Sequence, residues 1–213
     1  MDKKVELKKV SIYTRYWKRI VYPLAGFFLV FSCAYGYMKY INNKAERKYN
    51  KALKLFSESI QHTSNKKIEK ALVIFEEVIK EYPLSRFCTL SMPFAGYIYF
   101  IKGDYKNAEY YYEMFEKKIS RSEYRFLSDL AISSCYESEK KFDKAIKMLK
   151  TLTEQHSESP FKEFALLSLE RLYRIEDKPA QAKKVIKKFL DECSQSPFFY
   201  MAKSHFLSYN KTN

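Results

Sequence analysis

The chain has 213 residues, 46% of them hydrophobic and 30% charged, and a formal net charge of +14. That is enough apolar material for one domain plus an appendage. Only four glycines and six prolines occur, and no stretch keeps up the two-residue alternation of a strand, so a β-rich fold is excluded and an all-α one expected. Residues 1–48 hold 11 Lys/Arg against 3 Asp/Glu, and the rest 28 against 22. The strongest field therefore lies at the N-terminal flank instead of forming a stripe on a folded domain, which argues against a nucleic-acid partner.

Residues 1–19 read as a basic tail with seven Lys/Arg. From Ile20 to Met38 runs IVYPLAGFFLVFSCAYGYM, nineteen residues without a charge. As a helix this run is about 28 Å long, close to a bilayer core. Lys18, Arg19 and Lys39 close its ends, and Trp17, Tyr22, Tyr37 and Tyr40 stand where amphipathic rings prefer the headgroups. Pro23 falls in the first turn, where it costs little. A transmembrane helix over residues 20–41 is the expectation. The twenty residues after Met38 carry six Lys/Arg, so charge bias fixes the orientation only weakly. A short tail before a lone span is expected to stay in the cytosol, with the large C-terminal part exported. Two alternatives stay open. A cleaved signal peptide would use Ala34-Tyr35-Gly36, a poor site among bulky tyrosines. A bacterial lipoprotein signal would use VFSC and modify Cys33, although Phe31 fits that box badly and the sequence beyond it stays apolar.

The first helical pair is expected within residues 42–84, with HTSNKK (His62 to Lys67) as a lengthened turn. A period then becomes visible. Ala71, Ala108, Ala145 and Ala182 lie 37 residues apart, and so do Ser85, Ser122, Ser159 and Ser196. Phe87, Tyr124, Phe161 and Phe198 form a third column, Tyr99, Tyr136 and Tyr173 a fourth, and Val78, Phe115, Leu152 and Phe189 a fifth. Such a period marks stacked helix pairs. The regular units are 85–121, 122–158 and 159–195, and residues 196–213 repeat the first-helix design as a lone cap. In each unit the serine is placed to cap the first helix, with Pro160 and Pro197 at the first helical position. Short polar turns (Lys102 to Asp104, Glu139 to Lys141, Glu176 to Lys178) lead to the second helix, whose alanine lets two helices approach. The many tyrosines and phenylalanines are expected to fill gaps between stacked helices.

On these residues the chain resembles the tetratricopeptide repeat (TPR) family. Gly96, Tyr99, Ala108 and Tyr112 match its pattern, as do Tyr136, Ala145 and Leu149, then Tyr173, Ala182 and Ile186. Ser133 and Glu170 depart from it at the small position, only Pro83 keeps the late proline, and the period is three residues longer than the commonest. The resemblance covers about residues 45–213. It implies an α-solenoid of antiparallel helix pairs that binds a protein partner, as an extended peptide or a helix, along its inner wall. It places inward positions two residues before and one after each column tyrosine: Tyr97 and Phe100, Ser134 and Glu137, Arg171 and Arg174. The set runs from aromatic to cationic, so the arginines are expected to meet carboxylates and Tyr97 with Phe100 to supply apolar contact. The same residues could equally serve only to join one repeat to the next.

No catalytic constellation is visible. Cys33, Cys88, Cys135 and Cys193 form no C-x-x-C, and an odd number outside the span argues against full pairing. Cys135 is expected to pack as a small core residue. His62, His156 and His205 lack metal-ligand spacing, and no glycine-rich phosphate loop exists. Pairs such as Glu113 and Glu116 sit near Lys117 and read as solvated helix-surface charges. The chain is therefore expected not to be an enzyme, and to need no cofactor, metal or small-molecule substrate. One span ahead of TPR repeats is similar to the architecture of YfgM-like inner-membrane proteins. That likeness implies a bacterial inner-membrane location, a repeat domain on the periplasmic side, and a role ancillary to protein export and periplasmic chaperones. An envelope-assembly protein of the lipoprotein type and a regulatory anchor that recruits an enzyme are the other readings.

The alanine column carries a direct expectation. Ala145→Phe should destabilise the fold by about 1–3 kcal/mol through overpacking, read as a lowered unfolding midpoint in urea.

Overall fold

The structure, a computed structural model, describes residues 2–62, 64–155 and 159–211, with side chains for Trp17 and for residues 19–61, 64–154 and 159–209. His156, the side chain of His62 and those of the tail's first sixteen residues lie outside the described residues. Among the described residues every regular element is a helix: α1 (Asp2–His62), α2 (Asn65–Glu81), α3 (Arg86–Ile101), α4 (Tyr105–Lys118), α5 (Ser122–Ser138), α6 (Phe142–Gln155), α7 (Lys162–Ile175), α8 (Pro179–Glu192) and α9 (Phe199–Lys211). Each packs on the next in sequence, and α1 also touches α3. The result is a run of antiparallel hairpins with α3, α5, α7 and α9 parallel to α1.

The alanine column is the reason the hairpins close. Ala71, Ala108, Ala145 and Ala182 are wholly buried, each within the first two turns of a second helix. Val78, Leu152 and Phe189 fill the core one full step below them, while Phe115 is only half-buried. In the first repeat the close approach continues at Gly96, where an added Cβ would lie 3.0 Å from the Tyr112 ring. Cys135 is buried in the same cluster, with Ala108, Tyr112 and Ile132, and burial raises its thiol pKa to about 12. Cys88 is likewise a buried free thiol.

The turns inside the hairpins repeat as faithfully as the alanines. Gly103, Lys140 and Asp177, again 37 residues apart, all have positive φ (79°, 60° and 52°). At each, the next amide reaches back to a column tyrosine: Asp104 to the Tyr99 carbonyl at 3.0 Å, Lys141 to Tyr136 at 2.8 Å, Lys178 to Tyr173 at 2.8 Å. The left-handed residue's own amide bonds to Phe100, Glu137 or Arg174. This is the Schellman cap, which satisfies two orphan carbonyls and favours glycine at the left-handed position. Only the first of the three has one.

Three sequence expectations are corrected. Pro160 and Pro197 do not open helices; α7 and α9 start two residues further on. Ser159 and Ser196 instead close a turn with proline at its second position. Their carbonyls accept from Lys162 and Phe199, and their Oγ atoms accept from Phe161 and Phe198 at 3.3 and 3.1 Å. Proline's fixed φ suits that place, so the pair makes a turn before the helix. Ser85 does cap α3, accepting from the Phe87 amide at 3.2 Å, but Ser122 is already inside α5. Lastly, HTSNKK is no lengthened turn: α2 begins at Asn65, because the Ser64 carbonyl already accepts from Lys67 and Ile68.

At the N-terminal end α1 continues without a break through the apolar run into the first hairpin. Residues 19–37 are exposed without exception, and burial starts at Ile41 and Ala45. Only this helix, among the described residues, is long and apolar enough to cross a membrane. At the other end α9 covers Leu166, Ile186 and Phe189 with Ala202 and Phe206. It also serves Glu170, the acidic departure from the small position. Glu170 is 2% exposed, accepts from the Tyr209 hydroxyl at 2.6 Å, and has Arg174 at 3.6 Å and His205 Nδ1 at 3.7 Å. A buried carboxylate persists only where donors surround it.

Two outcomes test this packing. Lys140→Gly should stabilise the fold by about 0.5–1 kcal/mol by relieving the left-handed backbone, with Asp177→Gly giving less because Asp tolerates that region better; thermal melts compare them. The second concerns Tyr99 and Tyr111, whose hydroxyls donate to the same Glu76 oxygen at 2.7 and 2.9 Å. Burial, then the Glu76 carboxylate, pushes the Tyr99 hydroxyl up to about 12 from an ordinary 10.0, and Tyr111 upward for the same causes. A raised folded pKa means full stabilisation below pH 10, lost as pH climbs towards 12. The melting temperature should fall across that window together with a rise in phenolate absorbance, and Tyr99→Phe with Tyr111→Phe should flatten the fall.

Candidate partner-binding groove

The parallel first helices form one wall of the array, and between α3 and α5 that wall opens into a pocket of about 530 Å³. Its sides are Leu90, Pro93, Phe94 and Tyr97 from α3 and Tyr124 and Leu127 from α5. Tyr112 and Phe115 of α4, with Ile119 just past its end, complete the lining. Pro93 sits inside α3, where it has no amide to return to the preceding turn, and it turns its ring to the pocket instead. Leu90, Tyr97 and Tyr124 are each more than 40% exposed at the mouth. The polar atoms of the lining are hydroxyls, those of Thr89, Ser128 and the tyrosines. Ser128 already donates to the Tyr112 carbonyl at 2.9 Å. Burial holds the Tyr112 hydroxyl well above its ordinary pKa, so it stays neutral. The site can take an apolar group and offers little to a charged one.

The residues singled out in the sequence fall into separate places. Tyr97 lines the pocket and meets Phe56 of α1 edge-on, ring centroids 5.9 Å apart. Phe100, three residues on, turns away and packs edge-on against Tyr105 at 5.5 Å, within the cluster that joins this repeat to the next. Ser134 is half-buried, with its Oγ donating to the Leu130 carbonyl at 3.1 Å. Glu137 and Arg171 hold each other in a two-pronged ion pair, Nη2 to Oε2 at 2.7 Å, which bridges α5 and α7. Arg174 is exposed, 3.6 Å from buried Glu170. The structure therefore brings Tyr97 together with residues that sequence reasoning treated as gap-fillers, among them Phe94, Tyr112, Phe115 and Tyr124. The signal for them was the dense run of aromatics in α3 and α4, which does not by itself distinguish a filled gap from an open one.

A second hollow, about 640 Å³, lies where Arg125 and Tyr136 of α5 meet Lys144, Lys147 and Met148 of α6. Its cations are partly engaged. Arg125 Nε is 3.8 Å from Glu116, and Lys144 lies 5.4 Å over the Tyr136 ring.

Comparison with known proteins agrees with this geometry. The model of the tetratricopeptide repeat-like domain family matches residues 11–165, taking in the apolar run and the repeats as far as α7. Nearly identical TPR-like repeats from Podosopora anserina, assigned to a kinesin light chain, superpose with a TM-score of 0.55 at 15% identity over 82% of this chain and 85% of that one. A tetratricopeptide repeat protein from Parabacteroides merdae superposes at 0.57 and 16% identity, covering 78% of this chain and 61% of its own. At such identities the likeness concerns the fold. No curated protein matches the chain. The repeats, the left-handed caps and the family match agree: the chain belongs to the tetratricopeptide repeat-like domain family, whose fold serves as a scaffold for protein–protein interaction.

Proposed function

We propose that the chain is a single-span membrane protein whose TPR array holds another polypeptide, and that it is not an enzyme. The observation that carries this is the open apolar pocket between α3 and α5, lined without a carboxylate, amine, thiol or imidazole. A partner helix or extended segment would place an aliphatic or aromatic side chain against Leu90, Tyr97 and Tyr124. The more distant Arg174, with Arg171 in so far as Glu137 releases it, would meet acidic residues of the same segment. Support for the span comes from the exposed, uncharged course of α1 over residues 20–37 and from a family match that includes it. Residues 20–41 then cross the bacterial inner membrane, with the tail in the cytosol and the array on the periplasmic side. In that setting the chain acts as an ancillary factor of protein export or of periplasmic chaperones, since partners emerging from the membrane expose the apolar segments this pocket accepts.

The test is photo-crosslinking in native membranes from a reactive residue placed at Tyr97. A polypeptide adduct should form, vanish with Leu90→Asp, and weaken with Arg171→Glu and Arg174→Glu combined. An adduct that is undiminished in both variants, with the fold intact by circular dichroism, would refute the groove.

A further inference from the structure

The turn that joins α2 to α3 is fastened to α1 beside the apolar run. Asn42 Oδ1 accepts from Ser85 Oγ at 2.7 Å and from the Arg86 amide at 3.2 Å, and its Nδ2 donates to the Met38 carbonyl at 2.9 Å. The end of α4 is tied to the same turn, because Lys118 Nζ donates to the Pro83 carbonyl at 3.1 Å. Four residues separate Met38 from Asn42, about 6 Å along the helix. The polar layer on each side of a bilayer's hydrocarbon core is itself about 5–8 Å thick. With α1 unbroken from the run into the first hairpin, the turn is held at the height of that layer.

The chemistry of the turn suits the location. Leu84 is 66% exposed at its tip. Arg86 and Lys118 are exposed beside it, and Arg121 is exposed at the following turn. Two nearby carboxylates are already engaged, Glu81 by Lys48 at 2.8 Å and Glu116 by Arg125 at 3.8 Å, though Glu123 is exposed on this edge too. An exposed aliphatic tip ringed by Lys and Arg is the pattern of a segment that enters anionic headgroups.

We propose that the α2–α3 turn, with the end of α4, rests in the phospholipid headgroup layer around the chain's own span, Leu84 entering it and Arg86 and Lys118 meeting lipid phosphates. This rests on the reading of residues 20–41 as a span. It goes further by stating which edge of the array faces the bilayer: the edge where α3 and α5 begin. The opposite edge, at Lys140, then stands roughly 30 Å away, the length of α1 beyond Asn42.

The test uses the full-length chain with Trp17→Phe, which removes its one tryptophan. Leu84→Trp, Lys140→Trp or Phe28→Trp is added singly, and the protein is reconstituted in vesicles of phosphatidylcholine and phosphatidylglycerol. Lipid spin-labelled at the headgroup should quench emission from position 84 and leave position 140 unquenched, and lipid labelled in mid-chain should quench position 28. Adding Arg86→Glu and Lys118→Glu should reduce the quenching at 84. If 28 is quenched while 84 is as bright as 140, the span stands and this placement is wrong. If 28 escapes the mid-chain label, the span and the placement both fall. Quenching at 84 that ignores the two charge reversals removes the lipid phosphates from the proposal.

Discussion

Two helices can lie against each other only as closely as their largest contact residue allows, and in this array that residue is alanine at one position of every second helix. Ala71, Ala108, Ala145 and Ala182 have no exposed surface, and the bulky column below them interlocks because the backbones are near. The partner column on the first helices is less uniform. Gly96 admits the Tyr112 ring at contact distance, Ser133 turns its hydroxyl back to the Leu130 carbonyl, and Glu170 buries a carboxylate. Each answers the demand for close approach differently. The last needs donors, and α9 brings Tyr209 and His205 towards it. α9 therefore offers Glu170 polar partners as well as covering apolar surface.

The period of 37 was readable because alanine, serine and tyrosine recur in it, and it led directly to the helix pairs. The left-handed caps were only partly readable. Gly103 signals one openly, but Lys140 and Asp177 hold the same backbone with residues that give no hint of it. Helix starts at Ser-Pro-Phe were misplaced because serine and proline in that order suit a helix cap and a tight turn equally well. What decides between them is a pair of hydrogen bonds that only the folded chain shows.

The groove was less readable than the fold. Positions counted from a column tyrosine name candidate side chains on the first helices. They do not predict what those side chains then find. Arg171 finds Glu137 on the preceding repeat, and Phe100 finds Tyr105 across the hairpin turn. The pocket is lined instead by α3 and α5 together with Tyr112 and Phe115 of α4, most of which the tyrosine register does not single out. On the proposed orientation, its mouth residues Leu90 and Tyr124 lie near the helix starts, and the pocket would open close to the membrane surface.

Among the described residues most of the packing joins elements adjacent along the chain, and the further reaches, such as α1 to α3, α5 to α7 and α7 to α9, skip a single helix. Such a topology has short loops to close and few distant pairings to find, so assembly can begin at any hairpin and spread outward. A chain that emerges N-terminus first would not have to wait for its later helices: α2 can settle on α1 while α5 is still to come. The docking of α9 follows that of α8. Until α9 docks, Ile186 and Phe189 lack its cover, and an array halted at that point presents apolar surface open to aggregation.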